Sequence, residues 1–271
     1  MEWIDDIEEK YIETNGITLH TIIIGVGEPL VLLHGFPDFW YGWKNLIPLI
    51  KDQYQLIIPD MRGYNLSDKP EGVEKYRIEL LIEDIIGLIE QLNFESVYLV
   101  DHDWGGVLSW FITEKYPNRI RKLGIINGPH LKIFQEWLKS DEDQKKASYY
   151  MFKFQEPNGE NFLIENEFKL LRMGIPKEDE DKYIKAWSNG TITCGVNYYR
   201  ANLDYSDWSG IILVPTLVIH GMKDTAILPG VLDGLEDYVK DLKILRPEHL
   251  GHSVMKEDPK LVAKTFKDFF N

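Results

Sequence analysis

The sequence has a single cysteine, no run of basic residues and no long apolar stretch, and each shortage excludes a class of protein. Cys194 alone cannot form an internal disulfide and argues against a cysteine-based metal site, as expected in a reducing compartment. Lys and Arg number 30 against 44 Asp and Glu, and the net charge of −14 would repel nucleic acid and anionic membranes. Residues 1–13 are acidic and lack the features of a signal peptide. We therefore expect a cytoplasmic protein without nucleic-acid or membrane partners.

What the sequence does contain is an alternation of apolar runs and stretches with helical periodicity. The 271 residues are 44% hydrophobic and 27% charged, which is typical of one large or two small globular domains. Strands separated by helices predict an α/β protein with a mostly parallel sheet covered by helices on both faces. The predicted strands are Ile17–Ile24, 30–33, 55–59, 97–100, 123–126, Thr216–Ile219 and Leu242–Leu245, and the clearest helices are 76–92, 104–116 and Pro259–Phe270.

One stretch interrupts this alternation. Residues 131–211 are helical, polar and aromatic, without recognisable strands. We interpret them as a helical cap inserted between late strands of the sheet. The predicted domains are therefore a core of residues 1–130 and 212–271 and a cap of residues 131–211.

The strongest chemical signal is the segment 97–106, in which a buried strand turns sharply into a glycine-rich helix. This is the pattern of a nucleophile elbow, which exposes the residue at the turn above the sheet. Here that residue is Asp103, followed by Trp104 and two glycines. An Asp in isolation more often caps a helix, but the preceding strand and following glycines favour a nucleophile.

An Asp nucleophile predicts a particular two-step chemistry. A carboxylate is already anionic near neutral pH and can displace a leaving group at saturated carbon, which gives an alkyl ester of the enzyme. Water must then hydrolyse that ester. The site therefore also needs a histidine, an acid that orients it, and an oxyanion hole facing Asp103.

Each of these groups has a candidate in the sequence. His252 follows the last strand, and its loop position beside Gly251 favours it over His249. Asp224 follows the strand Thr216–Ile219 and is the candidate for the orienting acid. We expect the backbone N–H groups of Phe36 and Trp104 to form the oxyanion hole.

Five segments together resemble the α/β-hydrolase superfamily, and within it the soluble epoxide hydrolases. They are residues 34–43, 60–70, 102–106, 127–129 and 251–252. The resemblance covers nearly the whole chain. It implies an α/β-hydrolase fold and conversion of an epoxide and water to a vicinal diol, through an alkyl ester of Asp103 and without a cofactor.

The resemblance also implies two cap tyrosines that protonate the epoxide oxygen as the ring opens. Tyr150 and Tyr199 match those positions, and their neighbours Tyr149 and Tyr198 are the competing candidates. Phenols at this place suit the chemistry, because ring opening creates an alkoxide that needs a proton. We further expect an apolar substrate pocket, to which Phe36 and Trp104 contribute and which Trp40, His34 and Pro37 help to line.

Asp101 departs from the family pattern, which has a small residue two positions before the nucleophile. A second carboxylate there could raise the pKa of Asp101 or of Asp103 and weaken the nucleophile. The interpretation we favour is that Asp101 pairs with a neighbouring donor and takes no part in the chemistry.

Other functions remain open at this stage. Haloalkane and fluoroacetate dehalogenases resemble the chain at Asp103, but Phe36 replaces the halide-binding Asn of the former, and Trp104 and Val107 replace the arginines of the latter. A non-catalytic binder of apolar ligands on the same scaffold is a third alternative. We expect no metal, because the segment 101–103 spans a strand end and the pair of His249 and His252 lacks a third ligand.

Overall fold

The computed structural model describes residues 6–202 and 208–270 and contains an eight-stranded sheet. The strands are β1 (Glu8–Thr14), β2 (Ile17–Ile24), β3 (Glu28–Leu33), β4 (Tyr54–Pro59), β5 (Val97–His102), β6 (Ile120–Ile126), β7 (Thr216–Ile219) and β8 (Leu242–Leu245). Their spatial order is β1-β2-β4-β3-β5-β6-β7-β8. The pairs β1–β2 and β2–β4 are antiparallel, and the remaining strands run parallel. The predicted α/β-hydrolase fold with a mostly parallel sheet is confirmed.

The helices surround this sheet as the α/β pattern requires. They are α1 (Ile47–Ile50), α2 (Ile78–Gln91), α3 (Trp104–Lys115), α4 (Leu131–Ser140), α5 (Glu142–Ala147), α6 (Tyr149–Phe154), α7 (Asn161–Arg172), α8 (Glu180–Trp187), α9 (Thr191–Ala201), α10 (Leu235–Tyr238), α11 (Val254–Glu257) and α12 (Pro259–Phe270). Helix α7 is interrupted at residues 165–168, where the backbone leaves the helical region. No helix in the described ranges has both the length and the hydropathy needed to cross a membrane.

The core lies on both faces of the sheet. On β5, Leu99 packs on one side with α2 and α3, whereas Val100 packs on the other side with α12. Helix α2 forms because its Ile and Leu side chains recur every three or four residues and so cover one face. Helix α3 is buried almost from end to end and stops before Pro117, which cannot continue a helix.

Six helices, α4 to α9, lie between β6 and β7 in the chain, although these two strands are neighbours in the sheet. We call this segment the inserted helices. It coincides with most of the predicted cap, of which residues 203–207 lie outside the described residues. The division into a core and a cap domain stays a prediction.

The parallel strands end at a common edge of the sheet. The loops after β3, β5, β7 and β8 all emerge there, and such an edge is where α/β proteins place their binding sites. The inserted helices begin five residues after the end of β6, at this same edge.

Candidate active site

Asp103 lies at the turn between β5 and α3 in a strained backbone conformation. Its φ is +53° and its ψ is −118°, which costs a non-glycine residue about 1–3 kcal/mol. The turn is tight because the chain approaches its neighbours closely: a Cβ on Gly106 would lie 2.7 Å from Cα of Gly128. The glycines of the predicted elbow are therefore required by packing.

The Asp103 carboxylate is held from the loop after β3. The backbone N–H of Phe36 donates to Oδ1 of Asp103 at 2.8 Å, and any side chain on Gly35 would overlap the carboxylate. The Trp104 N–H is the first of α3 and has no acceptor within the helix. Burial would raise the pKa of Asp103, but interactions with His252, His102 and the Phe36 N–H hold it below its usual range.

His252 lies between two carboxylates. Its Nδ1 is 2.7 Å from Oδ2 of Asp224, and its Nε2 is 3.6 Å from Oδ2 of Asp103. Burial alone would lower the pKa of His252, but the hydrogen bonds and charges of both carboxylates raise it to about 10. The pKa of Asp224 falls to about 2, since His252 and the N–H groups of Ile227 and Ala226 together outweigh the effect of its burial.

Two further residues orient this pair, and the sequence analysis assigned no role to either. Asn127 donates from Nδ2 to Oδ2 of Asp224 at 2.7 Å and accepts the Gly221 N–H at 3.2 Å. His102 donates from Nε2 to the carbonyl of His252 at 3.0 Å. Burial lowers the pKa of His102 to about 4, so its ring is neutral. The sequence could have indicated a role for Asn127, because this residue directly follows β6 at the same edge of the sheet.

A cavity of about 220 Å³ opens above Asp103. Its floor comes from the elbow and its walls mainly from α4, α6 and α9 of the inserted helices. The lining residues are Asp103, Trp104, Val107, Pro129, Leu131, Phe134, Gln135, Leu138, Tyr150, Met151, Phe152, Gln155, Tyr199, Asn202 and Ile227. Asp103 is the one charged residue among them. Such a lining suits an uncharged, largely apolar ligand and provides no cation for a carboxylate.

Tyr150 and Tyr199 both line this cavity, with ring centroids 6.0 Å apart in an edge-to-face arrangement. Burial, together with the charge of Asp103, raises the pKa of both phenols, so both stay protonated at neutral pH. The competing tyrosines point elsewhere. Tyr149 is 59% exposed, and the buried hydroxyl of Tyr198 donates to the carbonyl of Arg62 at 2.7 Å.

Of the residues expected to contribute to the pocket, Trp104 lines it, whereas Phe36 and the three others, His34, Pro37 and Trp40, lie outside its lining. His34 is buried and accepts the Met61 N–H at Nε2, so it holds the strand ends together. The Pro37 carbonyl accepts a hydrogen bond from Nε1 of Trp187. Trp40 packs against neighbouring aromatic rings and donates its backbone N–H to Asp60. All three residues stabilise the loop after β3, which accounts for their presence in the segment 34–43.

Asp101 corrects another expectation. Its side chain is completely buried, and neither carboxyl oxygen has a hydrogen-bond partner among the described residues. Burial raises the pKa of Asp101 well above its usual range, against the opposing effect of the Ser109 hydroxyl. The expected pairing is therefore limited to the Ser109 hydroxyl, which lowers the pKa of Asp101 without forming a hydrogen bond of normal geometry. Protonation of Asp101, which burial favours, removes a like charge from beside Asp103.

The chain was compared with known proteins and solved structures. It matches the family described as "alpha/beta hydrolase fold" over residues 28–259. It is 36% identical to the AB hydrolase superfamily protein YfhM of Bacillus subtilis, over 98% of each chain. It is also 32% identical to epoxide hydrolase 1 of Caenorhabditis elegans, covering 97% of this chain and 70% of that protein. An inhibitor complex of Bacillus megaterium epoxide hydrolase superimposes with a TM-score of 0.90 at 33% identity, covering 97% of this chain and 100% of that one.

Proposed function

Since the chain belongs to the α/β-hydrolase family and its relatives include epoxide hydrolases, we propose that it hydrolyses an apolar epoxide to a vicinal diol. The observation that carries this proposal is the position of Tyr150 and Tyr199 in the same cavity as Asp103. A carboxylate nucleophile facing two protonated phenols matches the needs of epoxide opening, in which carbon is attacked while oxygen is protonated.

In the first step, Oδ2 of Asp103 attacks a ring carbon, because Oδ1 is occupied by the Phe36 N–H. The carbon–oxygen bond of the ring breaks, and the departing oxygen takes a proton from Tyr150 or Tyr199. The product is an ester of Asp103 with the ring carbon. The depressed pKa of Asp103 keeps the nucleophile anionic at neutral pH.

In the second step, His252 takes a proton from water, whose oxygen adds to Cγ of the Asp103 ester. The negative charge forms on Oδ1, where the N–H groups of Phe36 and Trp104 stabilise it. Collapse of this intermediate releases the diol, which receives the proton from His252. The Asp103 carboxylic acid left behind then gives its proton to His252, which restores the starting ion pair. Esterification removes one of the two negative charges that raise the pKa of His252. The ring can then release its proton, which restores the phenol that ring opening left as a tyrosinate, and the neutral histidine can accept a proton from water.

The alternatives differ in what they require of the cavity. A haloacid dehalogenase needs a cation for its carboxylate substrate, and the described lining contains no Lys or Arg. A haloalkane dehalogenase would share Asp103 and Trp104 but would have no need of the two tyrosines. A non-catalytic binder would return its ligand unchanged.

Trapping the ester tests the proposal. His252→Gln removes the water-activating base, so incubation with styrene oxide should leave Asp103 alkylated, with a mass gain equal to one whole epoxide. Intact mass and peptide mapping measure this. His249→Gln is the matched control, because that histidine is exposed, and it should turn the epoxide over at the wild-type rate. The double variant Asp103→Asn, His252→Gln should gain no mass. An adduct with haloalkanes but not with styrene oxide would overturn the proposal.

The tyrosines provide a second prediction. Tyr150→Phe combined with Tyr199→Phe should slow ester formation by about 10²–10⁴-fold, because the alkoxide then leaves unprotonated. The single-turnover rate of adduct formation is the measurement. Tyr149→Phe, which changes an exposed ring next to Tyr150, should leave that rate unchanged. Full activity of the double variant would show that the leaving group needs no proton.

A further inference from the structure

The buried carboxylate of Asp38 joins three separate parts of the molecule. Its backbone N–H closes the turn after β3 by donating to the Gly35 carbonyl at 2.9 Å. Its Oδ1 accepts the Phe39 N–H at 3.0 Å and the Tyr183 hydroxyl at 2.8 Å. Its Oδ2 forms an ion pair with Nζ of Lys256 at 2.5 Å. None of these contacts has a role in the chemistry described above.

Lys256 belongs to α11, which starts two residues after His252. The backbone around the histidine is fixed to this helix by Glu257, whose carboxylate accepts the N–H groups of Gly251 at 2.8 Å and Ser253 at 3.2 Å. The ion pair with Asp38 therefore connects the loop that carries the base to the loop that carries the oxyanion donor.

The third connection comes from α8 of the inserted helices. The Tyr183 hydroxyl, besides donating to Asp38, accepts a hydrogen bond from Nζ of Lys256 at 3.2 Å. One turn further along α8, Trp187 donates to the Pro37 carbonyl at 2.7 Å. Both tyrosine and tryptophan are buried. The turn after β3 is thus held between α8 and α11.

We propose that Asp38 is a positioning residue that holds the Phe36 N–H on Oδ1 of Asp103, and that Lys256 and Tyr183 keep Asp38 in place. Phe36 and Asp38 belong to the same four-residue turn, so displacement of one moves the other. Loss of Lys256 would leave a buried carboxylate without its counter-ion, which favours rearrangement of the turn. This inference rests on the proposed function, because it assigns a purpose to the oxyanion donor.

The two half-reactions respond to this donor with opposite sign. During ester formation the negative charge on Asp103 disappears, so a hydrogen bond to Oδ1 stabilises the starting state and gives no acceleration. During ester hydrolysis negative charge returns to Oδ1, so the same hydrogen bond lowers the barrier. A loosened donor should therefore slow hydrolysis alone, whereas general damage to the site would slow both steps.

The test uses full-length Tyr183→Phe and Lys256→Gln with styrene oxide, and rapid-quench mass spectrometry follows the alkylated enzyme through one turnover. We expect hydrolysis to slow about tenfold, a fraction of the effect of losing an oxyanion donor outright. Ester formation should be unchanged or slightly faster. Lys256→Arg retains the cation and should restore most of the hydrolysis rate.

Tyr41→Phe is the matched control. The Tyr41 hydroxyl donates to Asp179, just before α8, at 3.1 Å, so it also connects the inserted helices to the core, and its hydrogen bond goes to Asp179 rather than to Asp38. This variant should keep both rates. Equal slowing of both half-reactions, or unchanged hydrolysis in Tyr183→Phe and Lys256→Gln, would overturn the positioning role. Absence of any ester in the wild type would instead overturn the proposed function, and the positioning role with it.

Discussion

Asp101 is the residue whose surroundings conflict most with its ordinary chemistry. It lies inside the core beneath the elbow, two positions before Asp103, where burial raises its pKa well above the usual range and so favours the neutral form. In the unfolded chain the same carboxyl ionises with a pKa of about 3.9. Folding therefore opposes ionisation, and the stability of the protein decreases as pH rises above about 4.

Asp101→Asn should consequently stabilise the protein. The amide is close in size and cannot ionise, so we expect a higher free energy of unfolding at pH 7, by a margin that shrinks towards pH 4. Chemical denaturation at both pH values measures it. The turnover rate should not change. Asp143→Asn, on an exposed side chain, should leave stability unaltered at either pH. Equal stability of wild type and Asp101→Asn at pH 7 would contradict the raised pKa of Asp101.

Residues differ in how well their environment could be inferred from sequence. Asp103 was identifiable because a strand, a turn and two glycines surround it, and all of this information is local. The burial of Asp84 could not be inferred in this way, because the sequence places it among the glutamates of α2. In the structure it forms a buried ion pair with Arg62 at 2.6 Å. Asn127 likewise acquires its contacts from residues about a hundred positions away. Partners that are distant in sequence cannot be predicted from local sequence patterns.

At the scale of the element, the β5–α3 elbow is the most constrained part of the fold. Gly106→Ala would place a Cβ 2.7 Å from Cα of Gly128 and 2.9 Å from Oδ1 of Asp101. The first turn of α3 would have to move, and Asp103 with it. We expect a loss of about 2–3 kcal/mol in stability and a large fall in kcat.

Thermal unfolding and steady-state kinetics check this prediction against Gly174→Ala. A Cβ on Gly174 would meet nothing closer than 3.9 Å, and its φ is not positive. That variant should match the wild type in both measurements. A stable and active Gly106→Ala would mean that α3 can shift without displacing the nucleophile.

The strands show why element prediction succeeded in one place and failed in another. Those of the sheet centre are apolar on both faces and were all predicted. Strand β1 (Glu8–Thr14) was missed, because it is an antiparallel edge strand with mostly exposed, charged side chains. Its hydrogen bonds to β2 are made by the backbone, which leaves no hydrophobic pattern in the sequence. Helix α12 was predicted with its observed bounds, since Pro259 marks its start and its apolar face is regular.

At the scale of the whole molecule, the active site makes stability depend on pH. The pKa of His252 rises from its ordinary 6.5 to about 10 on folding. The stabilisation from its protonated form is therefore complete below pH 6.5 and is lost as pH rises towards 10. Asp101, whose pKa is also raised on folding, likewise makes the protein less stable as pH rises. Asp103 and Asp224, with lowered pKa values, lose their contribution only in acid.

The thermal midpoint should thus fall between about pH 6.5 and 9.5. Differential scanning calorimetry across this range measures the slope. His252→Gln should be less stable at pH 6.5 but show a shallower slope, whereas His249→Gln should retain the slope of the wild type. Parallel slopes for wild type and His252→Gln would contradict the elevated pKa of His252.

The insertion of six helices between two neighbouring strands has a consequence for how this protein can change. Strands β6 and β7 pair directly, so the two ends of the insertion are anchored to a part of the sheet that pairs without it. Asp103, His252 and Asp224 belong to loops of the sheet, while most of the cavity wall belongs to the inserted helices. Replacing the inserted helices with another helical segment between β6 and β7 should therefore change which ligand the cavity accepts. Asp103, His252 and Asp224 would keep their positions.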